Sequence, residues 1–224
     1  MTDQKETLDV QEEQLIEYKR HGGAILGPFT SNFFYNDPKH LLFSLSRYKF
    51  VSKILNKVDS VLEVGCGDCF GSVIVAANVE KYYGVDFDEA VIEDNKTRLQ
   101  LKDNMNFEFL NILENPFHIK ADAAFSLDVI EHIPFDQEKI YINNIVSSVN
   151  KGPVLLGTPN EYAKAYASEG AMRSHINLKT PETLAESLRP HYKTVINFSM
   201  NDEVVHTGFD QMAHYIFALG VDPR

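Results

Sequence analysis

The sequence lacks several features of membrane, secreted and nucleic-acid-binding proteins. No apolar run approaches the roughly 20 residues that a bilayer-spanning helix needs. The polar, acidic stretch 1–14 contains no hydrophobic signal-peptide region. Lys and Arg form no cluster, and 21 basic against 32 acidic residues give a net charge of −11, which repels phosphate backbones. We therefore expect a cytoplasmic protein, and neither a membrane nor a nucleic acid as its partner.

Cysteine is also scarce, with only Cys66 and Cys69 in the chain. Their Cys-x-x-Cys spacing is typical of a redox pair or of half a zinc site. A zinc site needs further ligands, and no second cysteine pair exists. Both cysteines also lie within a glycine loop that indicates a different role, so we expect neither redox chemistry nor metal binding from this pair.

The chain contains no proline-rich linker, repeat or low-complexity tract, and its 224 residues, 44% of them hydrophobic, suffice for one α/β domain. From residue 60 onward, short apolar runs alternate with helical patterns, which predicts βαβ units and a parallel sheet. The predicted strands are 60–64, 82–87, 106–110, 123–127, 153–158, 194–199 and 213–219, and the predicted helices are 71–80, 88–101 and 135–149.

The N-terminal part has a different character. Residues 1–20 read as a charged helix or a tail, and Asp37-Pro38 begins an apolar helical pattern. Between them, 21–36 is rich in glycine and aromatic residues, so we expect this segment to fold over the domain. It forms either a lid that excludes water from the site or a wrap on the sheet edge. We divide the chain into a cap segment, 1–40, and a main domain, 41–224; the aromatic residues of the segment are Phe29, Phe33, Phe34 and Tyr35.

A glycine loop, GCGDCFG (65–71), follows the first predicted strand and precedes a helix. Glycines at such a junction allow a sharp turn and a close approach of the backbone to a ligand. Asp86 ends the next strand, 19 residues after Gly67, near the spacing that places a carboxylate on ribose hydroxyls. The alternative role for Asp86 is a helix N-cap. The third glycine is Gly71 rather than residue 70, which departs from the dinucleotide-binding pattern.

At this point the sequence resembles the class I S-adenosylmethionine-dependent methyltransferases, whose first motif is an acid on the strand followed by Gly-x-Gly. VLEVGCGDCFG matches that motif, and the resemblance extends over roughly residues 40–220. It implies a Rossmann-like fold with a mostly parallel seven-stranded sheet, helices on both faces and an antiparallel C-terminal strand. It also implies S-adenosylmethionine as the cofactor, with S-adenosylhomocysteine as its product.

The resemblance assigns cofactor contacts to Glu63, Gly65, Gly67, Asp86, Asn111 and Asp128. Asp86 would hold the ribose, and Asp128 would lie near the methionine end. Asn111 stands where the family usually has an acid against the adenine amino group, and its carbonyl can accept the same hydrogen bond without charge. For Glu63 we expect a role in holding loop amides or the amino group of the cofactor.

Two histidines are the candidate catalytic residues. His132 lies just past the fourth strand, in DVIEHIP, and His175 lies in a polar stretch before the helix that Thr180-Pro181 begins. Imidazole titrates near neutral pH and suits a general base. In some ubiquinone-type relatives, an acid-x-x-Glu-His segment like Asp128…Glu131-His132 is linked to a divalent metal, but we predict no metal here. His206 and His214 are weaker candidates.

The fourth motif resembles that of family members acting on small molecules, including ubiquinone-type and sugar O-methyltransferases. We therefore predict an enzyme that methylates a small-molecule acceptor, with oxygen as the preferred atom and a sugar or polysaccharide precursor as the preferred class. The alternatives are an N-methyltransferase, a protein or RNA methyltransferase, a non-catalytic nucleoside-binding module and an NAD-linked oxidoreductase. The sequence leaves the oligomeric state open, with a homodimer among the options.

Overall fold

The computed structural model describes residues 10–100 and 102–224. Its centre is an eight-stranded mixed sheet in the order β3-β2-β1-β4-β5-β8-β6-β7. The strands are β1 (Ser60–Val64), β2 (Lys81–Asp86), β3 (Met105–Phe109), β4 (Ala123–Leu127), β5 (Val154–Pro159), β6 (Tyr192–Asn201), β7 (Val204–His206) and β8 (Tyr215–Pro223).

Besides the helical residues 10–14, eight α-helices lie within the described ranges. They are α1 (Ile16–His21), α2 (Pro28–Asn36), α3 (Pro38–Ile54), α4 (Ser72–Ala76), α5 (Glu89–Arg98), α6 (Glu138–Ser147), α7 (Glu169–Ser174) and α8 (Pro181–Leu188). Three short 3-10 helices span Ile130–His132, Glu161–Tyr166 and Asp210–Met212. Among the residues described, no helix is long and apolar enough to cross a bilayer.

The predicted sheet is confirmed, with one addition. The pairs β1–β2, β2–β3, β1–β4 and β4–β5 are parallel, as expected for βαβ units. The C-terminal strand β8 lies antiparallel between β5 and β6, where Leu219 pairs with both Leu155 and Ile196. The eighth strand is β7, three residues that form an edge hairpin with β6 and were too short to stand out as a separate apolar run.

Two hydrophobic clusters cover the two faces of the sheet, because successive side chains of a strand point to opposite sides. In β1, Leu62 belongs to one cluster and Val61 to the other. The first cluster includes residues of α6 and α8, such as Tyr141 and Leu184. The second includes residues of α3, α4 and α5, such as Val51. Helices therefore lie on both faces, as predicted.

The order of the strands fixes where a ligand can bind. The chain passes from β1 to β2 and β3 on one side, then crosses to β4 and β5 on the other. At such a switch point, the connections leave the carboxyl ends of neighbouring strands in opposite directions and open a crevice. The topology therefore places the expected ligand site at the loops that follow β1 and β4, which contain the predicted glycine turn and the DVIEHIP segment.

The N-terminal segment leads into the sheet through α2 and α3. α3 begins at Pro38, as Asp37-Pro38 predicted, and residue 40, the predicted domain boundary, lies within it. The aromatic segment 21–36 contains α2, in which Thr30 is buried. Of the predicted charged helix or tail, residues 1–9 lie outside the described part of the chain.

Candidate active site

The glycine turn at the end of β1 has the backbone conformation that its residues predict. Gly65 and Gly67 have φ of +76° and +50°, in the left-handed region that glycine enters at little cost. The amides of Gly65 and Cys66 both donate to the carbonyl of Val85, so the turn folds back onto β2. A Cβ atom on Gly65 would lie 2.3 Å from Val129 Cγ2, because the loop after β4 packs directly against the turn.

Asp86, at the end of β2, meets this turn. Its Oδ2 atom accepts a 3.0 Å hydrogen bond from the amide of Gly67, and Oδ1 accepts one from the amide of Asp88. The N-cap of α5 is Asp88, whose carboxylate accepts from the amides of Ala90 and Val91, so Asp86 does not have that role. The turn and the carboxylate therefore converge at the edge of the sheet, as a nucleoside site requires.

Glu63 lies beneath the turn and is fully buried. Its carboxylate accepts hydrogen bonds from three hydroxyl groups, at 2.6 Å from both Tyr48 and Ser72 and from Tyr82 as well. Burial raises the pKa of Glu63 to about 7, against the lowering effect of these hydroxyl donors. The contacts found are with hydroxyls rather than with loop amides, so Glu63 joins α3, α4 and β2 under the loop.

Asp68, inside the glycine loop, contacts the N-terminal segment. Its carboxylate accepts from the amide of Thr30 at 2.7 Å and from the Thr30 hydroxyl at 2.9 Å. A Cβ atom on Gly27 would lie 2.4 Å from Asp68 Cβ, and one on Gly67 would contact the ring of Phe29. The start of α2 thus rests on the cofactor loop. Sequence reasoning did not pair these residues, although it expected the segment to cover the domain.

The two cysteines are free thiols buried in the same loop. The amide of Cys69 donates to the carbonyl of Cys66, and the Asn95 side chain lies 3.4 Å from Cys69 Sγ. The hydrogen bond with Cys69 and burial raise the pKa of the Cys66 thiol. A raised thiol pKa disfavours the reactive thiolate. The buried cysteines therefore serve to pack the loop rather than to react.

Asn111 follows β3 next to Asp86, whose carbonyl accepts from the amide of Leu110. Its side-chain oxygen accepts from the amide of Leu113 at 3.1 Å, and its side-chain nitrogen donates to Glu114. Asn111 therefore shapes a turn beside the ribose position. Its proposed contact with the adenine stays a prediction.

Asp128 lies at the end of β4 with φ of +57°, in a region that non-glycine residues seldom occupy. Both of its carboxylate oxygens accept from Nη1 of Arg47, at 3.0 and 2.8 Å. The Arg47 side chain is 6% exposed and the Asp128 side chain 42%. Arg47, on α3, is a site residue that sequence reasoning missed.

His132 and His175 come together beyond Asp128. Their ring centroids are 5.0 Å apart, and ligand atoms of Glu131, His132 and His175 all lie within 4.8 Å of one another. Nδ1 of His132 is 3.1 Å from the carbonyl of Ser174. Because a carbonyl only accepts, this contact places the proton of the neutral ring on Nδ1 and leaves Nε2 with a free lone pair.

Glu131 lies close to the two imidazoles and is buried. Its Oε2 atom accepts from the Thr158 hydroxyl at 2.9 Å, and its Oε1 atom is buried without a hydrogen-bond partner. Burial and the neighbouring Asp128 raise the pKa of Glu131 to about 8. Burial and the nearby His132 lower the pKa of His175, which keeps that imidazole neutral near pH 7.

The segment that carries His175 is firmly held. The amides of Ile176 and Asn177 both donate to the carbonyl of Glu131. Buried Lys179 forms a salt bridge with Glu138 of α6. The predicted start of α8 is confirmed, because Thr180 and Thr183 form a capping box with Pro181 in the first turn. The two imidazoles are therefore placed by fixed backbone.

The weaker histidine candidates make other contacts. His206 Nε2 lies 2.7 Å from Asn201 Oδ1, and its Nδ1 accepts from the amide of Gly208, so the ring stabilises the β6–β7 hairpin. His214 packs beside Phe43, with ring centroids 5.5 Å apart, and its Nε2 is buried without a partner. Burial and the nearby Arg47 lower its pKa.

The residues around the crevice fit S-adenosylmethionine. Gly67 has no side chain of its own and lies against the ring of Phe29, and Asp86 offers acceptors for ribose hydroxyls. Buried Arg47 has an Nε atom without a hydrogen-bond partner, beside the segment at which the methionine end is expected. The glycine turn and the acid thus complement the nucleoside of the cofactor, and the cation complements its amino-acid end.

Comparisons with known proteins agree with this geometry. Residues 62–155 match a family described as a methyltransferase domain. Over 102 residues the chain is 30% identical to a probable S-adenosylmethionine-dependent methyltransferase of Mycolicibacterium smegmatis, an alignment that covers 45% of this chain and 38% of the relative. The matched part therefore spans well under half of that relative.

Two solved structures show the same fold. The methyltransferase domain of bacterial CtHen1 superposes with a TM-score of 0.67 at 16% identity, over 80% of this chain and 99% of that one. The small RNA methyltransferase HEN1 gives a TM-score of 0.66 at 16% identity, over 80% of this chain and 26% of that one. At such identities the likeness concerns the fold alone. The family match over residues 62–155 and the shared fold agree in indicating a class I S-adenosylmethionine-dependent methyltransferase domain.

Proposed function

We propose that this domain is an active methyltransferase that methylates a hydroxyl oxygen of a small molecule, with a sugar or polysaccharide precursor as the favoured acceptor class. The observation that carries the proposal is the pair of imidazoles, His132 and His175, whose ring centroids lie 5.0 Å apart in the segments after β4 and β5. An alcohol needs a base to take its proton, whereas a neutral amine has less need of one.

The bound cofactor supplies an electrophilic methyl group on a sulfonium. The chain contributes position, because the acceptor must approach that methyl from the side opposite to sulfur. Gly67 and Asp86 fix the nucleoside end, and the loop after β4 borders the other side of the crevice. His132 Nε2, with its lone pair free, takes the hydroxyl proton, and His175 assists as a second neutral imidazole.

The charges around the acceptor side support a small acceptor rather than a polyanion. Three loops surround this side: 128–137, 160–180 and 201–214. The first and third contain six acidic residues in all, and neither contains Lys or Arg. The second loop adds Glu161 and Glu169 against Lys164, Arg173 and Lys179, of which Lys179 is buried against Glu138, so the three loops together hold eight acidic and three basic residues. A phosphate backbone would meet an acidic rim here, which disfavours its approach.

A second candidate mechanism uses a divalent cation. The ligand atoms of Glu131, His132 and His175 lie close enough together to share one ion, and the buried Glu131 Oε1 has no partner. Carboxylate and imidazole suit divalent metals of the first transition row. These three residues would hold the metal, which would lower the pKa of a bound hydroxyl. The expectation of a metal-free site stays a prediction that this cluster makes testable.

The test is methyl transfer from S-adenosylmethionine to a panel of acceptors, followed by mass spectrometry. The panel contains sugars and nucleotide sugars, catechols, primary amines, a peptide pool and a short RNA. Each acceptor is assayed after chelation and again with added Mg²⁺, Mn²⁺ or Zn²⁺. The proposal expects a hydroxyl acceptor to give a product ~14 Da heavier than the acceptor itself. Methylation of amines or RNA alone would contradict it.

The same assay separates the two mechanisms. Activity that survives chelation supports imidazole base catalysis, whereas activity that returns only with a divalent ion supports the metal. Binding of S-adenosylhomocysteine is measured alongside and should not depend on the ion, because Glu131 and the two histidines lie outside the nucleoside contacts. Nucleoside binding that depends on the metal would contradict this separation of the nucleoside contacts from the cluster of Glu131 and the two histidines.

A further inference from the structure

Exposed apolar side chains are concentrated in the loops around the two imidazoles. In the described stretches 43–100 and 102–127, three large apolar residues are exposed, whereas the shorter loops 128–137, 160–180 and 201–214 contain eight. Single exposed apolar residues are ordinary on a protein surface, but a group of them in one region marks a binding surface. We call this group the apolar patch, and its members are Phe135, Tyr162, Tyr166, Met172, Ile176, Val204, Phe209 and Met212.

Hydrogen bonds join the three loops into one surface. The Asn160 side chain donates to the carbonyls of Asp210 and Ala213, at 2.9 Å each, and this ties the second loop to the third. The amide of Ile176 donates to the carbonyl of Glu131, which ties the second loop to the first. The apolar side chains of the three loops therefore border one region of the molecule.

The apolar patch begins at the imidazole pair. Ile176 directly follows His175 and is 62% exposed. Met172, in the last turn of α7, precedes His175 by three residues and is 52% exposed, so it lies on the same side of that turn. Tyr166 and Met212 lie on the second and third 3-10 helices, which are in contact. A molecule that reaches His175 with a hydroxyl group therefore meets apolar side chains beside it.

The charges of the same loops determine which apolar occupant fits. The loops hold eight acidic and three basic residues, and one of the three, Lys179, is buried against Glu138. Such a surface repels phosphate groups, whether they belong to a nucleotide sugar, a lipid headgroup or an anionic membrane. An uncharged apolar group avoids this repulsion and gains free energy by leaving water.

We propose that the acceptor carries its hydroxyl on an uncharged molecule with an apolar part, as in an alkyl or aryl glycoside, and that the apolar patch binds this part. The inference rests on the proposed function, because it names the class of molecule that the imidazole pair would deprotonate. The hydroxyl lies at His132 and His175, and the apolar part extends along Met172, Ile176 and the two 3-10 helices.

The experiment measures binding of uncharged hydroxyl compounds by calorimetry, with and without saturating S-adenosylhomocysteine. The probes are the methyl, butyl and hexyl β-glucosides and, as a series without sugar, methanol, butanol and hexanol. The variants are Tyr166→Ser and Met212→Ser, singly and combined; both side chains are exposed, so the variants should fold as the wild type does. Ile196→Ser is the matched control, because Ile196 is an exposed apolar residue of β6 outside the three loops.

In the wild type, affinity should rise by about 2- to 4-fold for each added methylene, the gain expected for its partial to complete burial. The double variant should bind hexyl glucoside about 10-fold or more weakly and leave the affinity for methyl glucoside unchanged. Tyr166→Phe and Met212→Leu, which keep an apolar surface, should retain the chain-length dependence, and Ile196→Ser should follow the wild type.

Affinity that does not depend on chain length, or that is equal in the wild type and the double variant, would overturn the inference. Tighter binding of glucose phosphate or of phosphatidylglycerol vesicles than of hexyl glucoside would overturn it as well. Sedimentation of a dimer that the double variant abolishes would assign the apolar patch to a second copy of the chain instead. The proposed function fails separately: methylation of amines or RNA alone rejects the hydroxyl chemistry, whereas a methylated hydroxyl acceptor without any chain-length preference rejects only the role of the apolar patch.

Discussion

The amide of Gly67 and the carboxylate of Asp86 are joined by a 3.0 Å hydrogen bond, although 19 residues separate them in the chain. The bond ties the turn after β1 to the end of β2, and both groups lie at the switch point of the sheet. A ligand that bridges the two would contact the glycine backbone, beside the ring of Phe29, on one side and an acid on the other.

The two glycines of the turn should respond differently to alanine. Gly65→Ala places a Cβ atom 2.3 Å from Val129, whereas the nearest atom for Gly67→Ala is 3.6 Å away on Phe29. Both variants bear the cost of a positive φ, about 1–2 kcal/mol. We expect Gly65→Ala to lower the melting temperature strongly, and Gly67→Ala to fold but lose affinity for S-adenosylhomocysteine. Equal losses of stability in the two variants would contradict this reading of the turn.

Much of the fold could be predicted from the sequence, because buried parallel strands are short apolar runs separated by helical patterns. The glycine loop and Asp86 were also predictable, since strand, turn, helix and acid follow one another at a recognisable spacing. β7 was not, because Val204–His206 is too short to show alternation. In each of these cases the local sequence pattern alone determined whether the element could be predicted.

The missed site residues depend on contacts between distant parts of the chain. Arg47 and Asp128 are 81 residues apart, and Thr30 and Asp68 are 38 apart. An arginine within an amphipathic helix looks like part of a solvated face, and no local pattern tells which acid it meets. The sequence indicated a role for Glu63 at the cofactor loop. Its hydroxyl partners could not be predicted, because they meet only when α3, α4 and β2 pack together.

The imidazole pair should affect turnover rather than cofactor binding. We expect His132→Ala to reduce kcat by about 100-fold or more, the usual contribution of a general base. His175→Ala should have a smaller effect, because only His132 has its tautomer fixed by a carbonyl. The matched control is His206→Ala, whose ring supports the β6–β7 hairpin. Calorimetry should give the same affinity for S-adenosylhomocysteine in all three variants, and a loss of affinity would point to cofactor contact instead.

Glu63 should make stability depend on pH. Its pKa is raised to about 7 in the folded protein, so the folded state holds a proton that the unfolded state has released. The stabilisation is complete below about pH 4.5 and is lost as the pH rises through 7. Relative to Glu63→Gln, which cannot ionise, the wild type should therefore lose up to about 3 kcal/mol between pH 5 and 8.

Urea unfolding at several pH values measures this difference. The exposed Glu80 offers a matched control, because Glu80→Gln removes a carboxylate without a buried network and should follow the wild type. A constant stability difference between the wild type and Glu63→Gln across the range would show that Glu63 keeps one ionisation state.

The contact between Thr30 and Asp68 should hold α2 on the cofactor loop. Thr30→Val removes the hydroxyl donor and keeps the backbone bond. A hydrogen bond to a charged group contributes roughly 1.5–3 kcal/mol, so amide exchange in 27–36 should accelerate by about 10-fold or more. Ser31→Ala, which removes only a long contact to Leu26, is the control. Unchanged exchange in Thr30→Val would mean that other contacts hold the helix.

The most direct test of the cofactor crevice is calorimetric titration of S-adenosylmethionine and S-adenosylhomocysteine into the wild type, Asp86→Ala and Asp88→Ala. Asp88 caps α5 two residues further along, so its variant controls for general damage to this loop. We predict that the wild type binds both nucleosides, that Asp86→Ala weakens binding by roughly 10- to 100-fold and that Asp88→Ala retains it. Unaltered affinity in Asp86→Ala, or a wild type that binds neither nucleoside, would contradict the placement of the cofactor between Gly67 and Asp86.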